Sequence, residues 1–150
     1  MGYIDKIYIS HRGNIDGANP SLENNPDYID RALSLGYDVE IDLWCNDGAF
    51  YLGHDSIQYE VNLEWLSTRS AKLWIHCKDV EAVCQLITKP EFNIFWHQTD
   101  TVTLTSHNYI WAYPGNQPIK QSIAVLPELY DDNITQSQGI CSDYIQKYKK

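Results

Sequence analysis

Eight short β-prone runs recur along the chain, and helical patterns separate only the earlier ones. The runs are KIYIS (6–10), DVEIDLW (38–44), AFYLG (49–53), KLWIHC (72–77), FNIFWH (92–97), YIWAY (109–113), SIAVL (122–126) and GICSD (139–143). Between the first two, NPDYIDRALSLG carries Tyr28, Ile29, Ala32, Leu33 and Leu35 at near-helical spacing. Asn25 suits its N-cap, Pro26 its first position and Gly36 its stop. In DVEAVCQLITKP the stripe is Val80, Val83, Cys84 and Ile87, with Asp79 as cap and Pro90 as terminator. VNLEWLS (61–67) reads as a third, shorter helix. Strand, helix, strand, helix, strand is the signature of parallel β/α winding. After Pro90 the connections are polar, contain Gly and Pro, span about a dozen residues or fewer and hold no amphipathic helix of ordinary length.

At 150 residues the chain is expected to form one domain, 1–150, with a core that needs no staples. A net charge of −9 with 13% aromatic and 43% hydrophobic residues describes a globular chain. No basic stripe is present, which argues against a nucleic-acid partner. The one cationic cluster, Lys147, Lys149 and Lys150, reads as a solvated tail. Excess acid repels an anionic substrate unless a local site or a bound cation reverses the field. Cys45, Cys77, Cys84 and Cys141 form no C-x-x-C pair and no zinc spacing, so free thiols of a reducing compartment are expected. MGYIDKIYIS lacks a signal-peptide pattern, and no run approaches the ~18 apolar residues of a membrane span. The expectation is a soluble, cytoplasmic protein with no transmembrane segment. No motif speaks to its oligomeric state.

Within DVEIDLW, Glu40 and Asp42 point to the same side of a strand, with Val39, Ile41 and Leu43 on the other. If buried, such a pair needs compensation, and carboxylate oxygens suit a hard cation such as Mg²⁺ or Ca²⁺. On an edge strand the same pair would simply meet solvent. The turn signal Asn46-Asp47-Gly48 then marks a hairpin. A two-residue Asp47-Gly48 loop sets His54 opposite Ile41; a three-residue loop sets it opposite Glu40. Either folds His54 back beside the carboxylates. His11-Arg12, at the end of the first run, adds a second imidazole and a fixed cation. Two histidines can serve as base and acid near neutral pH, and Arg12 with a metal can grip a phosphate.

The series HRG, EN, VEIDLW, DG and GHD resembles the N-terminal signature of the glycerophosphodiester phosphodiesterases, within the phosphatidylinositol-phospholipase-C-like superfamily. The residues that carry it are His11, Arg12, Gly13, Glu23, Asn24, Ala32, Gly36, Glu40, Asp42, Asp47, Gly48, His54 and Asp55, in the family's order over 8–55. LWIHCKD (73–79) is similar to the family's next strand, normally E-x-K, and GICSDYI (139–145) to its last, usually G-(I/V)-x-T-D.

The resemblance implies a TIM-type (β/α) barrel with its site at the carboxyl ends of the strands. Because 150 residues fall below the roughly 200 that such a barrel needs, the expected form is reduced. Its N-terminal half would be regularly wound, and its C-terminal half would have loops in place of most helices. The resemblance further implies a metal-dependent phosphodiesterase acting on a small glycerophosphodiester. In that scheme His11 and His54 are the acid/base pair, and Glu40 and Asp42 bind one divalent metal. Arg12 and Lys78 bind the phosphate, and Asn24 orients the site from the first β/α loop. Glu23 and Asp55 give support, Asp55 to His54. Trp111, in a strand resembling one that carries an aromatic near the family's site, is the expected substrate-contacting ring. His76 stands where the family has a third metal carboxylate. It could ligate the ion, shifting preference towards Mn²⁺ or Zn²⁺, leave that place to water, or only hydrogen-bond inside the barrel. Trp44, Trp74 and Trp96 suit either a pocket or packing, and His97 and His107 read as structural or exposed. The alternative function is a phosphosugar- or phospholipid-headgroup-binding module of weak or no activity on the same fold.

Overall fold

The computed structural model describes residues 6–149; residues 1–5 of the N-terminal stretch and Lys150 of the basic tail lie outside them. At the centre is β1 (Ile7–His11), which pairs in parallel with β2 (Asp38–Asn46) and with β10 (Gly139–Ser142). From β2 the parallel run continues to β5 (Leu73–Cys77) and β6 (Asn93–Phe95). From β10 it continues to β9 (Ser122–Val125) and β8 (Ile110–Ala112). Antiparallel additions extend it: β2 folds back into β3 (Ala49–Leu52), β3 pairs with β4 (Tyr59–Val61), and β7 (Val102–Leu104) lies on β8. Neither β4 nor β7 is among the runs read from the sequence.

The helices start where capping chemistry allows. In α1 (Pro26–Ser34), the Asn25 side chain accepts from the Asp27 N–H and proline occupies the first turn. Asn62 caps α2 (Leu63–Arg69), two residues later than expected, and Asp79 caps α3 (Val80–Leu86) through the Ala82 N–H. The third helix stops before Ile87, and of the expected stripe Val80, Cys84 and Ile87 are exposed, while Ala82 and Leu86 are the residues it buries. A short α4 (Ile145–Tyr148) follows β10.

This architecture corrects the expected class. The molecule is a curled, mixed, strand-rich half-barrel of ten strands with four short helices among the described residues, not a helix-flanked TIM-type barrel. The reason lies after Pro90. A parallel crossover takes a dozen or more residues, whereas antiparallel neighbours need only a tight loop. The chain there spends residues 102–112 on the antiparallel β7–β8 pair. Where β6 approaches β7, the seam holds one backbone bond, Ser106 N–H to the Ile94 carbonyl at 2.8 Å. The Ser106 hydroxyl also donates to the Phe92 carbonyl and accepts from the Ile94 N–H, the Thr103 hydroxyl donates to the Trp96 carbonyl, and the His107 N–H donates to Asn93 Oδ1. No ladder joins the two strands, so the sheet curls without closing.

Alternating side chains give the sheet two apolar faces. On the convex side Val39, Ile41, Leu43, Leu73, Ile75 and Ile140 share a cluster with Ile29, Ala32, Ala82, Leu86 and Ile145 of the helices. On the concave side Ile9, Trp74, Phe95, Trp111, Ile123, Val125 and Cys141 fill the curl. Trp111 sits 5.7 Å from Trp74 and 4.7 Å from Phe95, ring centre to ring centre. Each such aromatic pair is worth about 0.5–1.5 kcal/mol beyond its buried area. Gly139 permits the tight approach at this end, since a Cβ there would press on the Ile7 carbonyl and the Ile123 side chain. All four cysteines are free, three of them buried. No helix among the described residues is long and apolar enough to cross a membrane.

Candidate active site

Towards the carboxyl ends of β1, β2 and β5 the concave face turns from apolar to ionisable. Register makes neighbours of His11 and Glu40 across β1–β2, and of Asp42 and His76 across β2–β5. The hairpin takes its two-residue form: Asn46 pairs with Ala49, and Asp47 and Gly48 have φ of 51° and 80°, as a type I′ turn requires. Pairing extends to Gly53, whose N–H donates to the Asp42 carbonyl at 3.1 Å. There the chain turns sharply, because a Cβ at Gly53 would be driven into the Ser56 carbonyl oxygen. The turn carries the His54 ring to Asp42, with Nδ1 3.6 Å from Oδ2.

Asp42 is the hub. Its Oδ2 accepts from Asn24 Nδ2 at 2.9 Å and faces Arg12 Nε at 3.1 Å. Its own N–H donates to Asn24 Oδ1 at 3.0 Å. Asn24 is fully buried, so both ends of its amide serve Asp42 and neither reaches a substrate. Arg12 also donates from Nη1 to Glu23 at 3.1 Å and from Nη2 to His54 Nε2 at 3.3 Å. Asp42 Oδ1 stands 3.3 Å from His76 Nδ1, and neither Asp42 Oδ1 nor Glu40 Oε1 has a hydrogen-bond partner among the described residues. Burial works to raise the Asp42 pKa, but the facing His54 and His76 rings and the Arg12 charge outweigh it and hold the carboxyl well below the usual range. Glu40 goes the other way: burial first, then the Asp42 charge, push it well above the ordinary value.

The other imidazole is set from the far end of the chain. His11 Nδ1 lies 2.7 Å from Asp143 Oδ1, which also accepts from Asn14 Nδ2 at 2.8 Å. Asn14 is in turn held by the Tyr28 hydroxyl at 3.0 Å. A carboxylate only accepts here, so His11 carries its proton on Nδ1 and presents Nε2, 3.8 Å from Glu40 Oε1. Burial opposes ionisation of Asp143, but its bond to His11 prevails and its pKa is lowered. Asp143 and Asn14 were not in the residue set read from the sequence. The available signal was the aspartate that closes GICSD, in the strand resembling the family's last.

A cavity of about 580 Å³ opens on this cluster, lined among others by His11, Arg12, Glu40, His54, His76 and Lys78. The Lys78 ammonium has no hydrogen-bond or ion-pair partner among the described residues and borders that space. Trp111 lies beneath it, only 2% exposed and wedged in the aromatic stack, so it forms a floor and not a free-standing ring. Glu23 is buried against Arg12, while the Asp55 side chain is 95% exposed and reaches His54 Nε2 at 3.5 Å from the rim. His97, read as structural or exposed, lines the cavity, stacked on Tyr113. His107 is exposed and bonded to the Pro90 carbonyl.

Glu40, Asp42 and His76 offer ligand atoms that all lie within 4.8 Å of one another. Two buried carboxylate oxygens without donors, plus an imidazole nitrogen, are a donor set that fits a small divalent cation. Fold and site together define a curled, mixed-sheet, strand-rich half-barrel with an acid-and-histidine cluster at the carboxyl ends of its parallel strands. No family model, curated protein or solved structure matches the chain. The resemblance to the phosphodiesterases rests on the motif series alone.

Proposed function

We propose that the protein is a metal-dependent phosphodiester hydrolase of the glycerophosphodiester phosphodiesterase type, acting on a small glycerophosphodiester by two-histidine acid/base catalysis. One observation carries the reading: two imidazoles flank a buried Glu40–Asp42–His76 cradle whose free carboxylate oxygens have no protein donor. Those three residues would hold one divalent ion, Mg²⁺ or Ca²⁺ by their oxygens, with Mn²⁺ or Zn²⁺ favoured by the imidazole. Such an ion supplies Lewis-acid stabilisation of phosphate oxygens. Lys78 and the outer nitrogens of Arg12 add positive charge at the same place.

His11 Nε2 takes the proton of the attacking group, either water or a substrate hydroxyl. Asp143 fixes the tautomer and steadies the imidazolium that results. His54, once protonated and with its Nε2–H turned from Arg12 to the substrate, gives that proton to the leaving alcohol as the phosphorus–oxygen bond breaks. Attack by a vicinal hydroxyl would yield a cyclic phosphate first. Each acid/base role is worth about 10²–10⁴ in rate. Phosphorus NMR of glycerophosphoglycerol incubated with the protein and Mn²⁺ tests the scheme. A monoester should appear, with loss of at least about 100-fold in rate for His11→Ala and for His54→Ala and none for His107→Ala. Wild-type turnover in both active-site variants removes the assignment. Burial pushes the Cys77 thiol up to about 12, and such unreactive free thiols suit a cytoplasmic place of action.

A second reading, a headgroup-binding module of weak or no activity, is favoured by the state of Arg12. All three of its guanidinium nitrogens face Asp42, Glu23 or His54. Binding of the diester without any monoester signal would establish that reading.

A further inference from the structure

The cavity has a second wall that the catalytic scheme leaves unused. Strands β6 and β8 are the two ends of the parallel run, and the curl brings them together across from β1 and β2. Just past their carboxyl ends the His97 and Tyr113 rings stack, with centres 3.5 Å apart and planes 21° from parallel. Both line the cavity, beside the partly exposed Trp96. His97 Nδ1 and Tyr113 Oη are each buried and have no hydrogen-bond partner among the described residues.

An uncompensated buried donor or acceptor costs about 1–3 kcal/mol, so these two atoms select for whatever polar group can reach them. The chemistry narrows the choice. An imidazole nitrogen and a phenol can each donate or accept a hydrogen bond. A quaternary ammonium would leave both atoms unpaired, and so would an acyl chain. A hydroxyl can donate to one and accept from the other while its carbon frame lies on the aromatic faces.

We propose that His97 Nδ1 and Tyr113 Oη form a hydroxyl-binding subsite that holds the polyol portion of the substrate on the wall opposite His11 and His54. That the polyol is esterified to phosphate rests on the reading above; the preference for hydroxyls does not.

The matched probes are glycerol 3-phosphate and n-propyl phosphate. They share a phosphate and a three-carbon frame, differ in two hydroxyls, and offer no diester to hydrolyse. Each is titrated calorimetrically into the protein with Mn²⁺ present. The wild type should bind the glycerol compound about 10-fold or more tightly than the propyl one. Tyr113→Phe and His97→Phe keep the ring stack, and each should reduce that ratio to roughly 3-fold or less with propyl phosphate affinity unchanged. Circular dichroism melting identifies any variant that fails to fold, and the wild-type ratio and the other variant then decide. A wild-type ratio near one means that only water fills this wall and overturns the subsite. A preserved ratio in the folded variants, or no binding of either probe, overturns it too. A clear ratio without diester hydrolysis removes the hydrolase and leaves the subsite; hydrolysis with a ratio of one does the reverse.

Discussion

Replacing Asn24 by alanine strips the hub of its support without touching the cavity. Two buried bonds go: Nδ2–H to Asp42 Oδ2 at 2.9 Å, and the Asp42 N–H to Oδ1 at 3.0 Å. The first is charge-assisted, worth about 1.5–3 kcal/mol, at the low end here because Arg12 still faces the same oxygen. The second leaves a buried backbone N–H unsatisfied, for about 1–3 kcal/mol. Position 24 also has φ of 66°, a left-handed conformation that asparagine tolerates and alanine enters at a cost of about 1 kcal/mol. The expected loss is about 3.5–5.5 kcal/mol, a large part of the roughly 5–15 kcal/mol that holds a domain together. At about 2–4 °C per kcal/mol for this size, Tm should fall by about 7–22 °C. Urea titration by circular dichroism gives the free energy directly. Asn25→Ala is the control, since it removes only a partly exposed helix cap and should cost about 1 kcal/mol. If Asn24→Ala loses no more than that control, with the urea slope unchanged, Asp42 is not held from the first β/α loop.

Asp143→Asn tests the His11 tether through acid stability. Because the folded carboxyl titrates below its ordinary 3.8, its contribution is present above that value and lost as pH falls through the folded pKa. The Tm gap between wild type and variant should therefore shrink between about pH 5 and pH 2, and a constant gap would contradict the pairing. Mn²⁺ at about 100 times its dissociation constant should add about 2.7 kcal/mol, or roughly 5–11 °C in Tm. Glu40→Gln and Asp42→Asn should abolish that rise; an unchanged Tm of the wild type in millimolar metal would exclude the cradle. Gly53→Ala must displace the Ser56 carbonyl and with it His54, so turnover should drop about 100-fold, and wild-type turnover would show that His54 is not placed by this turn.

Several pieces of this site were written locally in the chain. Parity set Glu40 and Asp42 on one face of β2, and Asp47-Gly48 dictated a tight hairpin that returns His54 to them. Caps at Asn25 and Asp79 start helices where the sequence placed them. Each follows from dihedral preferences and hydrogen bonds spanning a few residues, which is why a pattern reveals it. The fold class failed for the complementary reason. Residues 101–105, Thr-Val-Thr-Leu-Thr, alternate as a strand does, but pairing them antiparallel with β8 depends on a partner that the local sequence does not name.

What the sequence determined by itself is therefore an inventory with short-range geometry: an acid pair, a returning histidine, a histidine and an arginine where a strand stops, and a C-terminal half poor in helices. Only the tertiary structure decided that Asp143, 132 residues away, would orient His11. It alone buried Trp111 under the cavity between Trp74 and Phe95, and stacked His97 on Tyr113 across from the wall that carries His11 and His54. These outcomes depend on which strands become neighbours and how tightly the sheet curls. Curl and pairing are settled by the packing of both faces at once, so no stretch of a dozen residues contains them.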